Sequence, residues 1–212
     1  MISNLTPKQT KELIIATCDA IINNLDYLTE VDSKIGDGDH GIGMSGGMKK
    51  AKDALLANPS FDDINSIFKL TGMTMLNTMG GASGVIFGSM FLGGLKGLEP
   101  SVKLDGELFT TIMRGSLDSI KARGKAQVGD KTMVDALEPA VIAMEHAPKD
   151  DMYNLLLLAA TAATQGMEDS KRYIAKFGRA KSLMERAIGY QDAGATSVSI
   201  IFTAMCNYLK SL

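Results

Sequence analysis

The sequence predicts an all-α protein of about eight helices, arranged up and down as antiparallel neighbours. Three observations predict it. Apolar residues recur at three- and four-residue spacing along nearly the whole chain, the period of a helix with one buried face. No stretch outside the last segment reads as strand, because none alternates convincingly between apolar and polar residues. The connections ANPSF, EPSVKL and APKDD are short and hold three of the five prolines, and short connections favour antiparallel packing of the helices they join. With 212 residues, 45% of them hydrophobic, the chain is read as one domain spanning 1–212 that needs no disulfide to fold.

The first helix starts at Thr6-Pro7-x-Gln9, an N-cap threonine with proline at the first helical position and glutamine two residues further on. Its buried face is Leu13, Ile14, Cys18, Ile21, Ile22, Leu25 and Leu28. Further helices are expected over 43–57, 62–78, 84–98, 105–122, 132–146, 152–175 and 195–210. Asp62 and Asp63 are expected in the first turn of the third helix and Asp105 as the cap of the fifth. The last segment, ATSVSIIFTAMCNYL, is rich in β-branched residues, but its length favours helix.

A net charge of −2 argues against a nucleic-acid or anionic-membrane footprint. The longest apolar run, Leu155 to Ala163, falls short of the ~20 residues a membrane span requires. No signal peptide is visible, and Cys18 and Cys206 read as free buried thiols, so a cytoplasmic location is expected.

The connections alternate in character. Those after helices one, three, five and seven carry glycine, charge and hydroxyls: DSKIGDGDHGIG, MGGASG, RGKAQVGDKT and GRAKSLMERAIGYQDAG. In an up-and-down bundle all four lie at the same end. Asp32, Asp37 and Asp39 place three carboxylates within eight residues of glycine-punctuated chain. Such a group repels itself unless a cation sits within it, and oxygen-only donors suit Mg²⁺ or Mn²⁺. Solvated aspartates capping the next helix are the alternative.

Gly36-Gly38-Gly41 and Gly41-Gly43-Gly46 both spell GxGxxG, but a helix rather than a strand precedes them, so neither is a dinucleotide fingerprint. What remains is side-chain-free N–H groups at helix starts, able to approach phosphate oxygens. His40 lines that spot, and Gly80-Gly81-Ala82-Ser83-Gly84 repeats the theme. Arg123, Lys125, Lys131, Arg179, Lys181 and Arg186 read singly as surface charges. As a group opposite three aspartates they suit a metal–phosphate ligand. Met133 stands where it can pack on a planar base or fill the core.

Four stretches in order carry a family resemblance: Asp32-x-x-x-x-Asp37-Gly-Asp39-His40-Gly41; Gly80 to Gly84; Arg123-Gly124-Lys125-x-x-x-Gly129-Asp130-Lys131-Thr132; and Gly178-Arg179-Ala180 through Gly189-x-Gln191-Asp192-x-Gly194-Ala195-Thr196-Ser197. From about residue 10 onward the chain resembles the L subunit of dihydroxyacetone kinase. The resemblance implies an eight-helix antiparallel barrel with ADP or ATP and two Mg²⁺ ions at one end. It implies metal ligation by Asp32, Asp37 and Asp39, and nucleotide contacts at His40, Gly41, Ile42, Gly43, Ala82, Ser83, Gly124, Met133, Arg179, Asp192, Ala193 and Gly194. It also implies phosphoryl donation to dihydroxyacetone held by a histidine of a separate K subunit, and a homodimer is compatible with it.

In one branch of that family bound ADP is rephosphorylated from phosphoenolpyruvate by the M subunit of the phosphotransferase system. In the other, ATP is the donor and the domains are commonly fused. A free-standing chain favours the first. Ala193, where many relatives carry proline, and Gly43, where a polar side chain is common, depart from the pattern. A nucleotide-sensing interaction module and a metal-dependent phosphohydrolase are the competing readings, and phosphate release without a partner would mark the latter.

Overall fold

The computed structural model describes residues 1–212. Nine α-helices supply nearly all of it: α1 (Pro7–Asn23), α2 (Leu25–Ser33), α3 (His40–Ala57), α4 (Ile64–Thr78), α5 (Gly81–Leu92), α6 (Gly106–Gly124), α7 (Val134–His146), α8 (Met152–Asp169) and α9 (Ala193–Lys210). A two-residue antiparallel pair joins β1 (Asn4–Leu5) to β2 (Leu104–Asp105).

Several starts form as the sequence dictates. The Thr6 side chain accepts the Gln9 N–H while the Gln9 side chain accepts the Thr6 N–H, a complete capping box, and Asp105 accepts the Leu108 N–H at 2.9 Å. Asp63 is itself the N-cap of α4, so Asp62 and Asp63 precede the first turn instead of lying in it.

Other boundaries depart from expectation. The expected first helix breaks at Asn24 (φ −102°, ψ 18°), whose side chain donates to the Ala20 carbonyl at 2.8 Å; α1 and α2 together fill its place. The helix expected over 84–98 stops at Leu92 and gives way to a 3₁₀ turn, Gly93–Leu95, where Gly94 lies directly against the backbone of Ile112 in α6. The helix expected over 152–175 ends at Asp169, and the long connection after it contains a 3₁₀ run over Arg179–Ala187.

Each helix packs on its neighbours in sequence and α9 packs on α1, so the ring closes into an antiparallel barrel around one continuous apolar core. The short connections gather at one end. There Lys11 donates to the Asn58 carbonyl, Ile64 N–H to Ser101 and Met152 N–H to Ile2. The long, glycine-bearing connections meet at the other. No helix is long and apolar enough to cross a membrane, and Cys18 and Cys206 are free and buried.

Candidate functional site

At the second end the chain leaves α2, turns back, and enters α3. Glycine permits the reversal at two points of close approach. A Cβ on Gly36 would lie 2.9 Å from the Asp32 carboxyl carbon, and one on Gly41 would lie 2.7 Å from the Thr29 N–H nitrogen in α2. Folded this way, Asp32, Asp37 and Asp39 each offer one oxygen, and these oxygens all lie within 4.8 Å of one another. The Arg179 guanidinium forms an ion pair with Asp37. Although Asp39 is exposed, local desolvation raises its pKa first, the Asp37 and Asp32 carboxylates add to it, and Arg179 opposes them. A carboxyl pushed toward its protonated form by its neighbours is what a divalent cation relieves. The oxygen-only donor set therefore fits Mg²⁺ or Mn²⁺.

His40 opens α3 beside this cluster. Its backbone N–H points at Asp32 Oδ2, 3.3 Å away, its Nε2 is 2.8 Å from the Ser197 hydroxyl of α9, and its ring leans on Phe87 of α5 at 5.8 Å. Burial lowers the His40 pKa and so favours neutral imidazole, while the Asp32 charge and the Ala193 backbone partly offset it. The N-cap residues of α3 and α5 make no side-chain cap, and apart from the His40 N–H that meets Asp32 the first-turn N–H groups of both helices are left for other acceptors. The α9 terminus differs, because the Asp192 carboxylate accepts the Ala195 N–H at 2.7 Å. Burial is the main cause that pushes the Asp192 carboxyl up to about 7, with the Asp135 and Asp32 charges adding to it.

Residues 170–190 form a lobe that leaves the barrel after α8 and returns before α9. Arg179, Lys181 and Met184 of the lobe, with Lys34 to Gly36 of the α2–α3 turn, line an open cleft of about 950 Å³. Gly41 is buried while Ile42 and Gly43 are exposed; Ala82 is exposed and Ser83 half-buried in the first turn of α5; Gly124 closes α6. Met133 is 5% exposed with Gly194 packed against it, so its side chain belongs to the core. Ala193 is buried at the start of α9.

The cationic group separates. Arg179 alone reaches an aspartate of the cluster, and Arg123, Lys125, Lys181 and Arg186 are exposed. Lys131, read from sequence as a surface charge, is buried. Its burial follows from backbone carbonyls that face it, which no sequence pattern announces. Ser197 was also missed as a partner of His40, although it falls one turn beyond Ala193 on the same helix.

A family model described as the DAK2 domain matches residues 34–207. The ADP-binding subunit DhaL of PEP-dependent dihydroxyacetone kinase 1 from Listeria innocua is 38% identical, over 86% of this chain and 86% of its own length. The ADP-binding subunit DhaL of the PEP-dependent enzyme from Escherichia coli K12 is likewise 38% identical, over 82% of this chain and 83% of its own. The crystal structure of the C. freundii dihydroxyacetone kinase in complex with AMP-PNP and Mg²⁺ superposes with a TM-score of 0.75 at 23% identity. That match covers 98% of this chain and 35% of the other, and it shows the barrel fold alone. A family match over residues 34–207, with relatives 38% identical over more than four-fifths of both chains, establishes that this protein belongs to the DAK2-domain family, among the DhaL-type subunits of dihydroxyacetone kinases.

Proposed function

We propose that this chain is the nucleotide-carrying L subunit of a phosphoenolpyruvate-dependent dihydroxyacetone kinase. It would hold ADP as a resident coenzyme and receive a phosphoryl group from an M subunit of the phosphotransferase system. It would then pass that group to dihydroxyacetone on a K subunit, in the cytoplasm. The observation that carries the reading is the cluster of Asp32, Asp37 and Asp39 with Arg179 against it. The likeness to ADP-binding subunits of PEP-dependent kinases, over more than four-fifths of both chains, favours this branch over a fused, ATP-consuming kinase.

Asp32, Asp37 and Asp39 would hold two Mg²⁺ ions, which neutralise polyphosphate charge and orient its oxygens. The uncapped N–H groups of α3 and α5 offer hydrogen bonds to phosphate oxygens at the positive ends of two helix dipoles. Neutral His40, fixed by Ser197, lines the site without adding charge to it. Arg179 supplies the guanidinium that meets charge on the phosphoryl group as it moves between oxygens. Gly41 to Gly43, Ala82 and Ser83, Gly124 and Asp192 to Gly194 complete the nucleotide's surroundings in this reading, with Met133 backing them from the core.

The test is to denature extensively dialysed wild type, Asp37→Asn and Asp39→Asn and to identify released nucleotide by chromatography. Near-stoichiometric ADP from wild type, and none from two variants that keep their helical circular dichroism, is the expected result. An empty wild type that binds added Mg-ATP points instead to the ATP-consuming branch. A wild type that neither carries nor binds nucleotide overturns the reading.

A further inference from the structure

Lys131 takes no part in the site described above, yet it is 2% exposed and is one of the largest fully buried side chains. Its backbone sits at φ +59°, in the left-handed region that residues other than glycine seldom occupy. From the α6–α7 connection its ammonium donates to the Ser170 carbonyl at 2.7 Å and to the Tyr190 carbonyl at 2.5 Å. Those carbonyls mark the two ends of the lobe. Beside them the Gly189 N–H donates to the Lys171 carbonyl at 2.7 Å, and the Ser170 hydroxyl accepts the Asp192 N–H at 2.9 Å. A second link joins the same two segments: Lys176 N–H donates to the Asp130 carbonyl at 3.1 Å, and the Lys176 ammonium pairs with the Asp130 carboxylate at 2.6 Å.

Burial disfavours the charged ammonium, and the Asp192 and Asp135 carboxylates oppose that tendency. An uncharged donor would join two carbonyls with far less desolvation. A charge-assisted pair of hydrogen bonds is stiffer, and stiffness matters where the joined segment must hold something in register. What the lobe holds is Arg179, against Asp37 of the α2–α3 turn.

We propose that Lys131 is a positioning residue for phosphoryl transfer, which fixes Arg179 over the aspartate cluster by clamping both ends of the lobe. The proposal rests on the functional reading above. Asp32, Asp37 and Asp39 lie outside the lobe, and of the proposed nucleotide contacts only Arg179 lies in it, so loss of the clamp leaves metal and nucleotide binding nearly intact while it slows transfer.

Lys131→Met keeps the buried stem and removes the donors. Three measurements follow it: hydrogen exchange along the chain, the dissociation constant for Mg-ADP, and single-turnover transfer from Mg-ATP-loaded protein to dihydroxyacetone presented by the K subunit. Amides of 171–190 are expected to exchange at least about tenfold faster, with α3 and α9 unchanged. Nucleotide affinity is expected to stay within about threefold while transfer falls close to the Arg179→Ala rate. The double variant Lys131→Met, Arg179→Ala should be no slower than Arg179→Ala alone, since both changes act through one guanidinium.

Unchanged exchange in the lobe, unchanged transfer, or losses that multiply in the double variant would each overturn the proposal. If Lys131→Met does not fold, Lys131→Gln carries the same comparison with a shorter, neutral donor. The exchange measurement needs no nucleotide, so a failure of the functional reading appears separately, as a wild type that binds none.

Discussion

Asp192 shows how one residue serves two tasks that pull in opposite directions. It caps α9 through the Ala195 N–H, which favours the carboxylate, but burial and the nearby Asp135 and Asp32 charges push its pKa up to about 7. The folded carboxyl therefore binds a proton more tightly than the unfolded one, whose pKa is about 3.9. The stability this supplies is complete below about pH 4 and is lost as pH rises through about 7. Asp192→Asn keeps an oxygen for the Ala195 N–H and never ionises. Wild type should thus lose Tm relative to the variant, by a few degrees, as calorimetry is carried from about pH 5 to about pH 8. A gap that does not move with pH would show Asp192 to be an ordinary ionised cap.

Among the elements, the helices most legible in the sequence were those with a full apolar face and a strong cap. Thr6 with Gln9, and Asp105, begin α1 and α6 where their side chains said they should. The start of α3 was less legible. HGIGMSGG is a poor helix former taken alone, and it is helical from His40 because Gly41 packs against α2 and Gly47 against Met79. Tertiary approach, invisible in a single sequence, decides it.

Glycines of this chain accordingly separate by surroundings. Pro139 in α7 has no N–H to donate to the Asp135 carbonyl, and Gly166 of α8 packs directly onto that peptide, with a Cβ there falling 2.9 Å from the Asp135 carbonyl carbon. Gly46, mid-helix in α3, has nothing within 4 Å of such a Cβ. Gly46→Ala should raise unfolding stability by up to ~1 kcal/mol through helix propensity. Gly166→Ala should lower it by about 2 kcal/mol, because forced separation of α7 and α8 outweighs the same gain. Chemical denaturation of the two variants checks both signs, and a stabilised Gly166→Ala would mean that α7 and α8 part at little cost.

For the molecule as a whole, the barrel and the lobe are built on different principles. The helices enclose one apolar core, and no residue between 170 and 192 belongs to it. The alternation of short and long connections was enough to place the site at one end, because it follows from chain reversal alone. The lobe's shape was not readable: its residues answer to Lys131, Asp130 and the return to α9 instead of to an apolar period, and a break at Met184 (φ 51°) interrupts its 3₁₀ run. That difference can be tested by removing the lobe. Gly189 N–H already reaches the Lys171 carbonyl at 2.7 Å, so a short glycine linker can replace residues 173–187 and leave both carbonyls bound by Lys131 in place. The interactions lost are the Lys176–Asp130 and Arg179–Asp37 ion pairs, each exposed on its basic side and worth about 1 kcal/mol or less, and the Lys176 N–H bond to the Asp130 carbonyl. The shortened protein should therefore keep its helical signal and its Tm to within a few degrees. It should still bind Mg-ADP through the aspartate cluster, and its transfer rate should match that of Arg179→Ala, because the guanidinium is what the lobe delivers. Collapse of the helical signal would instead make the lobe a structural part of the barrel, and transfer at the wild-type rate would remove Arg179 from the chemistry.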